Sequence, residues 1–156
     1  MTTADILLLL FIINLGTAFG AGLYETRIIL PQWFYKSAGD GYLVNTDAMR
    51  TVDSGRQFWA FVTTGPLTLI TLANLVAAWQ SAPPRHDWWL AAALVALVER
   101  ISTFAFFIPT AIRLEKSDSL PLATISRSVR SWMSLNYVRS ALTLVAWICA
   151  LWAFSL

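Results

Sequence analysis

Four long runs of apolar residues constrain this chain more than any other feature. They extend over about residues 4–30, 58–79, 88–112 and 131–154. A helix needs about 20 such residues to cross the hydrocarbon core of a bilayer, so each run is long enough to span a membrane. A soluble bundle would need a polar face on every helix, and none of the runs has one. The predicted fold class is therefore all-α, an integral membrane four-helix bundle.

The composition excludes several classes of function. Hydrophobic residues make up 57% of the chain and charged residues 13%, against about 25% charged in soluble domains. The net charge is +2 and no basic run occurs, so we expect no nucleic-acid partner. With one cysteine, Cys149, and one histidine, His86, the chain can form no internal disulfide and no multi-histidine metal site. We therefore predict no metal.

The runs are joined by connections of unequal length. We treat residues 1–156 as a single transmembrane domain with a long connection over 31–57, and leave open whether that connection is a lid. Within it, residues 45–53 predict a short surface helix that begins at an Asn or Thr cap. Tryptophans near the ends of the runs predict an aromatic belt at the membrane interfaces. They are Trp33, Trp59, Trp79, Trp88, Trp89, Trp132 and Trp152.

The basic residues predict an orientation. An even number of spans puts both termini on one side of the membrane. The two longer connections contain seven lysines and arginines, whereas the opposite side has Arg85 alone. The positive-inside rule then places the longer connections in the cytoplasm. We expect an integral, multi-pass protein of a bacterial inner (plasma) membrane, in contact with lipid.

Ionisable residues inside the runs point to a site. Glu99 and Arg100 lie in the middle of the third run, Glu25 near the end of the first, and Arg139 in the fourth. Each would cost about 2.5–3.5 kcal/mol if it were unpaired in lipid, so we expect them to face inward. Trp132, Asn136, Arg139 and Thr143 share one stripe of a helix. Adjacent residues differ by about 100° on a helix, which leaves open whether Glu99 and Arg100 point into the same gap.

Several motifs, in order along the chain, resemble those of the small four-span membrane family that includes the anthrone oxygenases. They are Gly20-Ala21-Gly22-Leu23-Tyr24-Glu25 with Pro31 and Trp33, Gly55-Arg56-Gln57-Phe58-Trp59, Phe107-Ile108-Pro109-Thr110, and Trp132 with Leu135-Asn136-Tyr137-Val138-Arg139. The resemblance implies a bundle that binds an apolar or aromatic small molecule. It also implies oxygenation of an anthrone-like or quinone-like substrate without a metal or cofactor.

The residues suit such chemistry. A partly desolvated Glu99 or Glu25 could accept a proton, and Arg139 could stabilise the negative charge that develops. These three are the predicted catalytic residues. The predicted substrate-binding residues are Trp132, Asn136, Arg100, Trp59, Tyr24 and Phe107. Two alternative functions remain open: a non-catalytic protein that binds or transports a lipid or small molecule, and a structural subunit of a membrane complex. A homo-oligomer is also left open.

Overall fold

Four helices dominate the structure, a computed structural model that describes residues 2–39 and 41–156; Met1 and Asp40 of the predicted domain lie outside the described residues. Each helix is long and apolar enough to cross a membrane. The four spans are Thr3–Trp33, Gly55–Trp79, Arg85–Leu114 and Leu122–Ser155. The predicted all-α membrane bundle is thus confirmed, and the chain is a multi-pass membrane protein.

The spans are longer than the apolar runs that predicted them. The fourth begins at Leu122 rather than near residue 131 and contains 34 residues. At 1.5 Å per residue it is about 51 Å long, whereas the hydrocarbon core is about 30 Å thick. Its first turns therefore lie outside the apolar layer, where a helix can continue through polar residues that hydropathy does not mark.

The spans pack as a ring in chain order. Each contacts the span before and the span after it, and the fourth closes on the first. This is the up-down-up-down arrangement that short connections favour. Large apolar side chains cover the outer faces, as lipid contact requires. Among them are Phe61, Leu69, Val76, Ile101 and Val145.

Three spans contain a π-helical stretch that ends two residues before a proline. The π-helical stretches are Glu25–Ile29, Gly55–Thr64 and Thr103–Phe107, and Pro31, Pro66 and Pro109 follow them. A proline has no N–H to continue the α-helical ladder. In each case the residue between the stretch and the proline donates its N–H to a carbonyl five residues back. The remaining helical segments are Thr3–Tyr24, Leu30–Trp33, Gly65–Trp79, Arg85–Ser102 and Ile108–Leu114.

The described residues of the connection between the first two spans form a two-stranded hairpin and a short helix. Strand β1 (Phe34–Lys36) pairs antiparallel with strand β2 (Tyr42–Val44), and the Tyr42 N–H donates to Ser126 Oγ at 2.8 Å. A helix, Thr46–Val52, follows. Its cap is Asn45, whose Oδ1 accepts from the Ala48 N–H at 3.0 Å, so the predicted capped helix is confirmed. A 3₁₀ turn, Ser117–Ser119, lies between the third and fourth spans.

The core differs between the two halves of the bundle. In the half that contains the termini, small and large apolar residues pack solidly, with Phe11, Leu15, Trp89 and Ala92 among them. Asn74 holds this half together, because its Nδ2 donates to the Leu7 carbonyl at 3.3 Å and its Oδ1 accepts from Trp89 Nε1 at 2.9 Å. In the other half a second apolar cluster, centred on Trp33, Phe107 and Trp132, adjoins a cavity.

The seven tryptophans of the predicted aromatic belt differ in exposure, and the belt itself stays a prediction. Trp79, Trp88 and Trp152 are exposed on the outer faces, as an interfacial belt requires. Trp33, Trp89 and Trp132 are buried instead, so the prediction is wrong for these three. Their distance from the end of a run resembles that of the belt residues, but they lie on the inward side of their helices.

Candidate functional site

A cavity of about 570 Å³ lies within the bundle, on the side of the two longer connections. Pockets for drug-sized ligands have volumes of about 300–1,000 Å³. All four spans contribute to the wall, and the connecting helix adds Met49. The three π-helical stretches each place at least one residue in the wall, with Glu25, Trp59 and Phe107 among them. π-helical turns occur often at functional sites.

The first ion pair of the cavity joins the first and fourth spans. Arg139 Nη2 donates to Glu25 Oε2 at 2.7 Å, and Glu25 Oε1 accepts from Trp59 Nε1 at 2.9 Å. The Arg139 guanidinium lies 4.4 Å from the ring centroid of Phe107 and 5.5 Å from that of Trp59. Within the described residues, one of its five N–H donors makes a hydrogen bond, the one to Glu25.

The second ion pair lies within the third span. Arg100 Nε and Nη2 both reach Glu99 Oε2, at 2.6 and 2.5 Å, and Glu99 Oε1 accepts from Thr103 Oγ1 at 3.1 Å. The helix turns the two Cα–Cβ bonds about 100° apart, but the long arginine side chain curls back to its neighbour. Glu99 and Arg100 therefore share one gap, and both line the cavity.

The cavity is balanced in formal charge. Its wall contains four carboxylates and four cationic groups. They are Glu25, Asp53, Glu99 and Glu115, and Arg56, Arg100, Lys116 and Arg139. At the mouth, Arg56 contacts Asp53 at 3.1 Å and Glu115 at 3.3 Å. The deep pairs are enclosed, with Glu25 5% exposed and Glu99 2% exposed. A neutral ligand fits such a site better than a charged one, because no net charge is left for it to neutralise.

Most of the predicted site residues meet at this cavity. Glu25, Glu99, Arg100 and Arg139 line it, and so do three predicted substrate-binding aromatics, Trp59, Phe107 and Trp132. The Trp132 ring packs edge-on against Phe107 with centroids 5.3 Å apart. The ionisable residues therefore converge on the interior, as expected from the cost of an unpaired charge in lipid. The roles of these residues in catalysis or binding stay predictions.

Two predicted substrate-binding residues do not line the cavity. Tyr24 is 59% exposed on the outer face of the first span, one position before Glu25 and so about 100° from it on the helix. Asn136 is fully buried, but its Nδ2 donates to Thr26 Oγ1 at 2.6 Å. It joins the fourth span to the first. The stripe on the fourth span is correct in orientation, but at Asn136 a neighbouring helix covers it.

Sequence reasoning missed several residues of the wall. Trp33 was assigned to the interfacial belt, yet it lines the cavity and is 5% exposed. Met49, Asp53 and Ser54 come from the connection, and Glu115 directly follows the third span. Segments so far apart in sequence carry no common period. The one available signal was Trp33 in the motif that follows Glu25.

The described residues offer no evident metal centre. No group of three or more His, Cys, Asp or Glu within residues 2–39 and 41–156 is arranged to hold a metal ion. The carboxylates of the cavity are instead bound by arginine, indole and hydroxyl donors. The site therefore consists of ion pairs enclosed by aromatic rings.

Comparison with known proteins identifies one family. A family model described as anthrone oxygenase matches residues 56–149, more than half of the chain. The match runs from the second span into the fourth and contains Glu99, Arg100 and Arg139; the motif around Glu25 lies before it. No curated protein and no solved structure matches the chain.

Proposed function

The chain belongs to the anthrone oxygenase family, and on that premise we propose that it oxygenates a neutral, planar aromatic substrate inside the membrane. The observation that carries the proposal is the charge-balanced cavity, in which two buried Glu–Arg pairs are enclosed by aromatic rings. An apolar substrate would enter from the lipid or the interface. A non-catalytic binding protein is the alternative that the same cavity would suit.

The reaction requires a base and a place for negative charge. The substrate gives a proton from its activated carbon to the base, and the resulting carbanion reduces dioxygen. The hydroperoxide that forms then loses water and leaves a new carbonyl. One oxygen atom thus enters the product and the other leaves as water with the two hydrogens of the original carbon. This chemistry needs no metal or cofactor.

Glu25 is the better placed of the two candidate bases. Its Oε1 accepts from a neutral indole, and its Oε2 accepts one bond from Arg139. Glu99 Oε2 is instead bound twice by Arg100, and its side chain is 3% exposed. When Glu25 takes a proton, Arg139 loses its anionic partner. Its positive charge can then stabilise the substrate carbanion and the peroxide that forms on it. The negative charge thereby moves from Glu25 to the substrate, and Arg139 keeps an anionic partner.

Oxygen consumption by the purified protein tests the proposal. In detergent micelles with anthrone, wild type should consume one dioxygen for each quinone formed, well above the spontaneous oxidation seen with heat-denatured protein. Glu25→Gln should lower turnover by about 100-fold or more, as loss of a general base does. Glu25→Asp, which keeps the carboxylate, should retain part of it. Asp5→Asn, which breaks the Asp5–Arg85 pair at the other end of the bundle, is the matched control.

The outcomes separate the candidate roles. Full turnover in Glu25→Gln, with loss in Glu99→Gln protein that is still folded under the assay conditions, would transfer the base role to Glu99. Binding of anthrone without oxygen consumption would refute the oxygenase and leave a binding protein. Mass spectrometry of molecules that copurify with wild type, and are lost from Arg139→Ala, would identify the natural ligand. No bound molecule and no turnover would favour a structural subunit.

The location of the site in the cell is part of the proposal. We propose a bacterial plasma membrane, in which the positive-inside rule would put both longer connections in the cytoplasm. The mouth formed by Asp53, Arg56 and Glu115 would then open toward the cytoplasm. A homo-oligomer stays a prediction.

A further inference from the structure

The buried charged groups of the cavity have hydrogen-bond partners, whereas three of its buried neutral polar groups do not. Both oxygens of Glu25 and both oxygens of Glu99 accept hydrogen bonds. By contrast, Trp33 Nε1, Ser54 Oγ and Trp132 Nε1 are buried and have no hydrogen-bond partner among the described residues. All three residues line the cavity. A buried donor without a partner costs free energy, so a ligand that supplies an acceptor would recover that cost.

The two indoles pack on one common neighbour although they are far apart in sequence. Trp33 ends the first span, and Trp132 lies in the fourth. Both rings pack against Phe34, with centroids 6.3 Å and 6.2 Å from it. Trp33 is 5% exposed and Trp132 is 4% exposed. Two nearly enclosed donors therefore stand in one aromatic cluster at the cavity wall.

Their chemistry limits the ligand. An indole N–H donates and cannot accept, so the ligand group that meets it must be an acceptor. The balanced charge of the wall disfavours a carboxylate or phosphate, since either would leave an uncompensated charge in an enclosed site. A neutral carbonyl oxygen has two lone pairs and meets both conditions.

We propose that the Trp33 and Trp132 indole N–H groups bind the carbonyl oxygen of the aromatic substrate and so set its orientation. This inference rests on the proposed function. Trp132 packs on Phe107, and Phe107 packs on Arg139. A ligand anchored at the indoles can therefore extend along Phe107 toward the Glu25–Arg139 pair. As the carbanion forms, charge delocalised onto the carbonyl oxygen would strengthen the indole hydrogen bonds.

Two ligands that differ only in one carbonyl group, which is a methylene group in the second ligand, test the proposal. Anthrone has the carbonyl, and dihydroanthracene has the same three rings without it. Equilibrium dialysis in detergent micelles, with dioxygen excluded so that anthrone is not oxidised, gives both affinities for wild type, Trp33→Phe, Trp132→Phe and Trp147→Phe. Trp147 is the matched control, because its Nε1 is also buried without a partner but it packs on Gly16 away from the cavity.

The expected result is selective. Trp33→Phe and Trp132→Phe should each weaken anthrone about threefold to tenfold, the loss of one hydrogen bond, and leave dihydroanthracene within about twofold. Trp147→Phe should change neither. Replacing each indole by benzothienylalanine, which keeps the ring shape without the N–H, should reproduce the loss.

Other outcomes overturn the inference in distinguishable ways. Equal losses for both ligands would mean that the indoles serve packing, and unchanged affinities would mean that the oxygen binds elsewhere. Either result leaves the oxygenase intact. Wild type that binds neither ligand refutes the proposed function and this inference together. Binding with the expected selectivity but without oxygen consumption refutes the oxygenase alone.

Discussion

Removing the charge of Glu99 while keeping its size should destabilise the bundle by about 3 kcal/mol, the cost of leaving a buried arginine without its counter-ion. In Glu99→Gln the amide oxygen can still accept from Thr103 Oγ1, now 3.1 Å from Glu99 Oε1. Arg100 would lose both contacts to Oε2, and its one other hydrogen bond in the described structure is to the Thr63 carbonyl at 3.4 Å. With side chains 3% and 6% exposed, water screens the pair little.

The double variant Glu99→Gln/Arg100→Met makes the prediction sharp. Neither position 99 nor position 100 is then charged, so the free energy of unfolding should return to within about 1 kcal/mol of wild type. Unfolding in mixed micelles with increasing SDS gives the free energies of unfolding. Wild type, Glu99→Gln, Arg100→Met and the double variant form a double-mutant cycle. The water-exposed Arg56–Glu115 contact is the control, because solvent screens it and Glu115→Gln should barely shift the midpoint. A double variant as unstable as Glu99→Gln would refute the reasoning.

Three further predictions follow from the packing and the charges. Gly16→Ala should destabilise the bundle by about 1–3 kcal/mol through overpacking, because its Cβ would lie 2.9 Å from Trp147 Cζ2; Gly20→Ala, with no atom within 4 Å of its Cβ, should be neutral in the same unfolding assay. Trp89→Phe should lower the free energy of unfolding by about 1–3 kcal/mol, since it leaves the buried Asn74 Oδ1 without its donor. An equal decrease in the double variant Asn74→Leu/Trp89→Phe would contradict a hydrogen-bond origin. A reporter fused to the C-terminus should be active when it requires the outside of the cell and silent when it requires the cytoplasm, and the reverse pattern would invert the proposed orientation.

The sequence by itself determined the fold class and the main members of the ion pairs. Four apolar runs require four spans, because a helix satisfies its own backbone polar groups in lipid. The cost of unpaired charge in lipid requires Glu25, Glu99, Arg100 and Arg139 to face inward. These are local properties of a helix and its solvent, and no knowledge of neighbouring elements is needed to state them.

The tertiary structure decided which partner each group meets. Helical period placed Asn136 on the same stripe as Arg139, but a hydroxyl of the first span covers it. By its distance from the end of the run, Trp33 was indistinguishable from a belt residue. In the structure it is buried against Phe34, which also packs on Trp132. The curl of Arg100 back to Glu99 depends on side-chain torsions that residue spacing does not contain. Periodicity fixes the face of a helix, whereas the rotation of one helix against another determines what that face touches.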